Sequence, residues 1–341
     1  MSLRRAPLWL ALLALAACGE STYDRPVQEL VGSTMGTTFS VKIVDPPTNL
    51  DLVALQDEVQ AALDDINQSM STYINDSALS QFNASESTDW QDVPGDLCYA
   101  IEAAGVVSEF TGGAFDVTVA PLVDLWGFGP PDTPSEPPAD DAIDAVMSDV
   151  GYTRLDIDCS IPAIRKTSPG IRVDLSAFAK GHAVDLVSEL LNVRGLPDYL
   201  VEIGGEMRMR GLNAKEEPWA IAVESPKRNE RSVQLILNLT DAAMATSGDY
   251  RNFFEYDGEF YSHTIDPRTG RPISHDTASV TVVADTAAFA DAAATALLVL
   301  GPDEGLALAD RESIAALFLL RLGDQFEERM SQTFAAKVLA Q

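Results

Sequence analysis

The sequence is poor in the residues that build the commonest catalytic sites. Its 341 residues include 3 cysteines, 3 histidines and 4 tryptophans. No cysteine spacing suits zinc, and so few cysteines in so long a chain form no disulfide framework. There is no HExxH helix, no GxSxG elbow and no internal repeat, which leaves out the mechanisms and solenoids those patterns announce. Bases are also scarce: 23 Lys and Arg stand against 52 Asp and Glu, a formal charge of −29. That balance argues against nucleic acid as a partner, because binding it needs a basic footprint. It also means that an anionic ligand must be met by a metal ion or by backbone donors.

Apolar material is plentiful. Hydrophobic residues make up 46% of the chain, enough for a substantial core in one large or two modest domains. The first 17 residues read as a secretory signal, with Arg4 and Arg5 ahead of an apolar run from Pro7 to Ala17. The run is too short to span a bilayer comfortably. It ends in "LAAC", which resembles the lipobox of bacterial lipoproteins and implies cleavage before Cys18 and lipidation of its thiol. Residues 18–28 then read as a lipidated tether and residues 29–341 as the folded unit. The expected location is the bacterial cell envelope, anchored on the periplasmic side, with inner and outer membrane both open. In that oxidising compartment Cys98 and Cys159 either pair or stay as buried thiols.

Along the mature chain, "TTFSVKIV" alternates as a strand, and "LVALQDEVQAALDDINQSMS" places Leu52, Leu55, Val59, Leu63 and Ile66 on one helical side. A helix follows in "LCYAIEAAGVVSEFTGG", closed by glycine. "GPPDTPSEPPADD" is an exposed loop. "IRVDLSAFAKGHAVDLVSELLNVRG" reads as a strand turning into a helix, and "DYLVEIGGEMRMRG" as a strand with a glycine break. Several further strands follow, and "EERMSQTFAAK" reads as a closing strand. Helices and strands intersperse without strict alternation and many strands are adjacent. The expected class is α+β, with mixed, largely antiparallel sheets, packed helices and one compact catalytic unit.

Five segments bear on chemistry. In "VDLSAFAKGHAVD", Asp174 and Ser176 precede a helix start kept slim by Ala177, Ala179 and Gly181, with Lys180 in reach of an anion. The same features serve equally as an N-cap with tight packing. Gly204 and Gly205 mark a bulge or a close approach of backbone to ligand. "GSTMGTTFS" sets its glycines before a strand, so it is neither a Walker loop nor a Rossmann fingerprint. His263, near the turn-forming "DPRTG", is structural or catalytic. In "AFADAAATALLVLG", Asp291 and Thr295 stand one helical turn apart on a face otherwise made for burial. They offer oxygens that suit a hard cation such as magnesium, or else close on neighbouring backbone.

Taken in order, "GSTMGTTFSV", "MSTYINDSALSQFN", "TGGAFDVTVAPLVDLWGFG", "VDLSAFAKGHAVD", "VEIGGEMRMRG", "TSGDYRNFF", "SHTIDPRTGRP" and "FADAAATALLVLG" resemble the ApbE family of FAD:protein FMN transferases. The resemblance runs from about Val27 to the C-terminus. It implies a Mg2+-dependent reaction outside the cytoplasm, in which FAD is the substrate, FMN passes to a Thr or Ser hydroxyl of an acceptor protein, and AMP leaves. The acceptors it implies are NqrC-like or RnfG-like subunits of sodium-pumping quinone reductase and Rnf-type complexes. By position, Met35, Tyr73, Ala114, Phe115, Asp116, Asp174, Lys180 and Ile265 would contact FAD. Ala177, through its carbonyl, would hold magnesium with Asp291 and Thr295, and His263 would take the proton of the acceptor hydroxyl. His182, Phe178, Val117 and Ala293 depart from the family's usual residues. Two alternatives remain: an FAD pyrophosphatase that passes FMN to water, and an FAD-binding lipoprotein without turnover.

Overall fold

A computed structural model describes residues 24–129, 136–227, 232–250, 252–323 and 325–339. The expected signal segment and Cys18 lie outside the described residues, as does much of the proline-rich loop. The chain opens with a hairpin of β1 (Val27–Thr34) and β2 (Thr37–Val44), followed by α1 (Leu52–Met70) and α2 (Ala78–Ala84). Next come β3 (Gln91–Asp92), α3 (Gly95–Phe110), α4 (Ala120–Leu125), α5 (Asp140–Met147), β4 (Leu155–Asp158) and β5 (Ala163–Lys166). Then follow α6 (Ala179–Val193), β6 (Tyr199–Ile203), β7 (Glu206–Arg210), β8 (Trp219–Glu224), β9 (Val233–Leu239) and β10 (Ala242–Gly248). Two small hairpins, β11 (Phe253–Tyr256) with β12 (Glu259–Ser262) and β13 (Ile265–Asp266) with β14 (Arg271–Pro272), precede β15 (Thr277–Ala284). The chain closes with α7 (Ala287–Arg311), β16 (Ala315–Leu322), β17 (Gln325–Met330) and α8 (Gln332–Lys337).

Eight strands form one antiparallel sheet in the order β1-β2-β6-β7-β10-β15-β16-β17. Alternation along each strand sends side chains to opposite faces. Phe39, Val41 and Ile43 of β2, with Tyr199, Val201 and Ile203 of β6, pack under α1, α3 and α6. Val280, Val282, Ala316 and Phe318 do the same under α7. The intervening residues Val44, Leu200, Leu317 and Leu319 turn to the other face, where β8, β9 and α8 cover them with Trp219, Leu237 and Phe334. The expected α+β antiparallel architecture is what the chain adopts. Helix α1 buries Leu55, Val59, Leu63 and Ile66, and Asp51 caps it by accepting from Val53 N and Ala54 N. Helix α7 is long and apolar enough to cross a membrane, but it lies in the core and buries Ala290 to Ala294. Gly301, at φ 75°, and Pro302 break it into two segments.

Several expectations change. The fold begins before residue 29: Arg25 bonds Asp198 at 2.7 Å, and β1 starts at Val27, so the end of the proposed tether is structural. "IRVDL" forms no strand: the Asn83 side chain takes both the N–H and the C=O of Val173. Gly204 and Gly205 are not a bulge; they are the two-residue turn of the β6–β7 hairpin, at φ 63° and 110°. "EERMSQTFAAK" splits into the end of β17 and helix α8, capped by Ser331. Cys98 and Cys159 are disulfide-bonded, joining α3 to the turn after β4 across 61 residues of sequence. Closing a loop of that length stabilises by roughly 4 kcal/mol in the chain-entropy account.

Candidate active site

Helices α6 and α7 cross at Gly181, and the crossing explains the acidic residue in the apolar helix. A Cβ at Gly181 would sit 2.3 Å from the Ala287 carbonyl oxygen, so only glycine permits this approach. Asp291 is 3% exposed and accepts the Gly181 N–H at 3.2 Å. Asp185 on α6 returns the arrangement by accepting from Ala287 N and Ala288 N at 3.0 and 2.9 Å. Each helix thus places a carboxylate on the open N–H groups of the other's first turn, where the partial positive charge favours it. Arg208 supports Asp185 at 2.8 Å.

Lys180 lies between two carboxylates, with Nζ 3.6 Å from Asp291 Oδ2 and 3.5 Å from Glu206 Oε1. Burial works against its ammonium, but Asp291 and Glu206 outweigh that and hold its pKa above the ordinary lysine range. Glu206 begins β7 and is 4% exposed. Burial pushes its pKa above the ordinary carboxylate range; Lys180 pulls it down and Asp291 adds to the rise. Its Oε2 has no hydrogen-bond partner, a costly state that marks a place for a further group. One turn beyond Asp291, Thr295 shares a 2.8 Å hydrogen bond with Ser247 on β10.

Another wall carries His263, between β12 and β13. Its Nδ1 is 3.0 Å from the Asn252 carbonyl, and its backbone N–H donates to the same oxygen at 3.1 Å. A carbonyl only accepts, so Nδ1 carries the proton and Nε2 keeps its lone pair. Burial lowers the pKa more than the Asn252 bond and Asp249 raise it, so the ring is held below its ordinary 6.5 and neutral at pH 7. The hairpin beneath is set by aromatic packing: Tyr261 stacks between Trp126 at 5.8 Å and Phe254 at 4.9 Å. Trp126 Nε1 donates to the Gly270 carbonyl at 2.8 Å.

These walls enclose one cavity of about 1190 Å³. That exceeds the roughly 300–1,000 Å³ of an ordinary small-molecule pocket and leaves room for a large ligand. Tyr73, Ala114, Phe115, Asp116, Asp174, Ala177, Lys180, His263, Ile265, Asp291 and Thr295 all line it. Met35 does not: it is the first turn residue of the β1–β2 hairpin, at φ 50°, and packs against the core. Tyr73 stands at the mouth, 68% exposed. Asp116 is buried and its carboxylate is taken up by Thr118 N, Thr118 Oγ1 and Tyr152 N at 2.8, 2.6 and 2.7 Å. These bonds fix its place in the cavity wall, with one of them on Oδ2. Asp174 accepts from Ser176 N at 2.7 Å, a turn that leads into α6.

Among the described residues, six carboxylates (Asp116, Asp124, Asp174, Glu206, Glu224 and Asp291) line the cavity against two cationic side chains, Arg172 and Lys180. A diphosphate entering such a space needs a cation with it. The donors present fit a hard divalent ion: the Asp291 carboxylate and Thr295 hydroxyl stand one helical turn apart in the cavity wall, which Ala177 also lines. Among the described residues no three His, Cys, Asp or Glu side chains cluster as a metal cage, so ligand oxygens would have to complete the coordination. Glu206, Ser247 and Asn252 escape a sequence reading. Glu206 could have been noticed as the acid after paired glycines; Asn252 acts through its backbone and leaves no trace in residue type.

Residues 35–318 match the ApbE family. The chain is 43% identical over 326 residues to the FAD:protein FMN transferase of Vibrio cholerae, covering 95% of this chain and 96% of that one. It is 36% identical to that of Escherichia coli K12 over 350 residues, covering 100% and 99%. Among solved structures, the flavin transferase ApbE from Vibrio cholerae superposes with a TM-score of 0.83 at 42% identity, covering 91% of this chain and 99% of that one. The apo flavinyl transferase ApbE of Pseudomonas stutzeri gives 0.83 at 38% identity, covering 92% and 96%.

Proposed function

The chain belongs to the ApbE family, and from that membership we infer that it is an FAD:protein FMN transferase. FAD is its substrate and a protein with a Thr or Ser hydroxyl its acceptor. The observation that carries the reading is one cavity holding both an unprotonated imidazole nitrogen and the Asp291–Thr295 oxygen pair. The acceptor oxygen attacks the phosphorus bearing riboflavin. The bond from that phosphorus to the bridging oxygen breaks, its electron pair leaves on AMP, and the hydroxyl proton passes to His263 Nε2. Burial keeps His263 neutral and the Asn252 carbonyl fixes which nitrogen receives the proton. Lys180 and the N-terminal turn of α6 offer positive charge to the phosphates.

Magnesium is the finer part of the proposal. Asp291, Thr295 and the Ala177 carbonyl would hold it. When bound, it would disperse charge on the diphosphate. The acid-rich cavity and the orphaned Glu206 oxygen support a cation here. We further propose lipidation at Cys18 and a periplasmic location, which the "LAAC" motif supports, and acceptors of the NqrC or RnfG kind, which family membership suggests. A Cys18→Ser variant that stays in the membrane fraction would remove the anchor.

The test is incubation with FAD, Mg2+ and a threonine-bearing redox subunit. Fluorescent flavin on the denatured subunit, with equimolar AMP, is expected. FMN and AMP released equally fast without acceptor would make the protein a pyrophosphatase, and tight FAD binding without AMP would make it a carrier.

A further inference from the structure

Lys180 is held oddly. Charge-assisted N–H···O bonds are about 2.7–2.9 Å long. Lys180 Nζ is 3.6 Å from Asp291 and 3.5 Å from Glu206, with the Ser176 carbonyl at 3.3 Å, so it is tight with none of them. The partner that can hold it back is firmly built. Glu206 follows the Gly204–Gly205 turn, which Glu202 fixes by accepting from Gly205 N at 2.7 Å. The turn also abuts the lysine stem: a Cβ at Gly204 would lie 3.4 Å from Lys180 Cδ. Asp291, on the other side, already accepts from Gly181, the residue next to Lys180. An ammonium closing on that carboxylate would compete with any cation for it.

We propose that Glu206 is a positioning residue that holds Lys180 off Asp291, so that the Asp291 carboxylate stays open to a divalent cation. The inference rests on the reading of Asp291 as a metal ligand. It explains why a second carboxylate is buried 26 residues from Lys180 in sequence, with one oxygen toward the lysine and the other unpartnered.

The experiment measures Mn2+ binding by electron paramagnetic resonance on the FAD-loaded protein without acceptor, in a double-mutant cycle. Glu206→Leu is expected to weaken Mn2+ binding about tenfold, and in a Lys180→Met background the same change should cost less than about twofold. An equal loss in both backgrounds overturns the proposal, because Glu206 would then act on the cation directly. No loss in either overturns it too. Should Glu206→Leu fail to fold, Glu206→Gln carries the same cycle with about a threefold loss. A crystal structure of the Glu206 variant should show Lys180 in hydrogen-bond contact with Asp291; an unmoved lysine refutes the positioning role whatever the metal does. Asp291→Asn is the separate control: unchanged Mn2+ binding there removes the metal reading and leaves the lysine geometry to be judged from the crystal.

Discussion

The two working walls of the cavity are built differently. The Asp291 wall belongs to the core: α6 and α7 cross at a glycine, exchange carboxylates, and sit over the central sheet. The His263 wall is made of two small hairpins outside that sheet, held by stacked aromatics, the Trp126 bond to Gly270 and one shared carbonyl. Charge at the first wall is fixed by buried packing, whereas at the second burial depresses the imidazole's basicity and one backbone carbonyl fixes its tautomer. Binding and deprotonation should therefore fail separately.

The comparison breaks most visibly at Asp291. Asp291→Asn should lower transfer by about a thousandfold or more through loss of charge stabilisation of the diphosphate. It should also lower stability by about 1–3 kcal/mol, since Lys180 loses a buried charged partner and Gly181 N is left with a neutral amide oxygen. Flavinylation assay and denaturant unfolding check both. His263→Ala comes next, with transfer slowed about 10²–10⁴-fold while FAD affinity, read by flavin fluorescence, stays within twofold. A parallel fall in affinity would show that the walls are one unit.

Acidity sharpens the same contrast. His263 is depressed below its ordinary 6.5, so it stays an unprotonated base down to that value and protonates only at lower pH. The transfer rate should be flat above about pH 6.5 and drop tenfold per unit below the His263 pKa, a limb absent in His263→Ala. The smallest effect is expected at Trp126→Phe. Losing its 2.8 Å bond to Gly270 should cost about 1–3 kcal/mol in unfolding yet change FAD affinity hardly at all.

Much of the first wall was legible in the chain. The one-turn spacing of Asp291 and Thr295 and the slim "SAFAKG" entry are local patterns, and helical geometry turns them into one face. Less of the second was. His263 stands out only by resemblance, because its tautomer depends on a backbone carbonyl eleven residues earlier. Asp116 reads as a ligand contact and does line the cavity, but that its oxygens also serve Thr118 and Tyr152 leaves no trace in the sequence. Met35 reads as a pocket residue, yet the tight β1–β2 turn places it against the core. Where a polar side chain spends its hydrogen bonds is a tertiary fact.

The sequence alone set the α+β class, the period-two strands that cover two faces, the buried stripe of α1 and the acid-rich balance that calls for a cation. Those follow from backbone periodicity and composition, which need no partner. Only the folded chain decided that Lys180 would stand between Asp291 and Glu206, that Asp185 and Asp291 would cap each other's helices, and that Cys98 would meet Cys159. Such contacts join residues far apart in sequence, and packing, not local preference, brings them together.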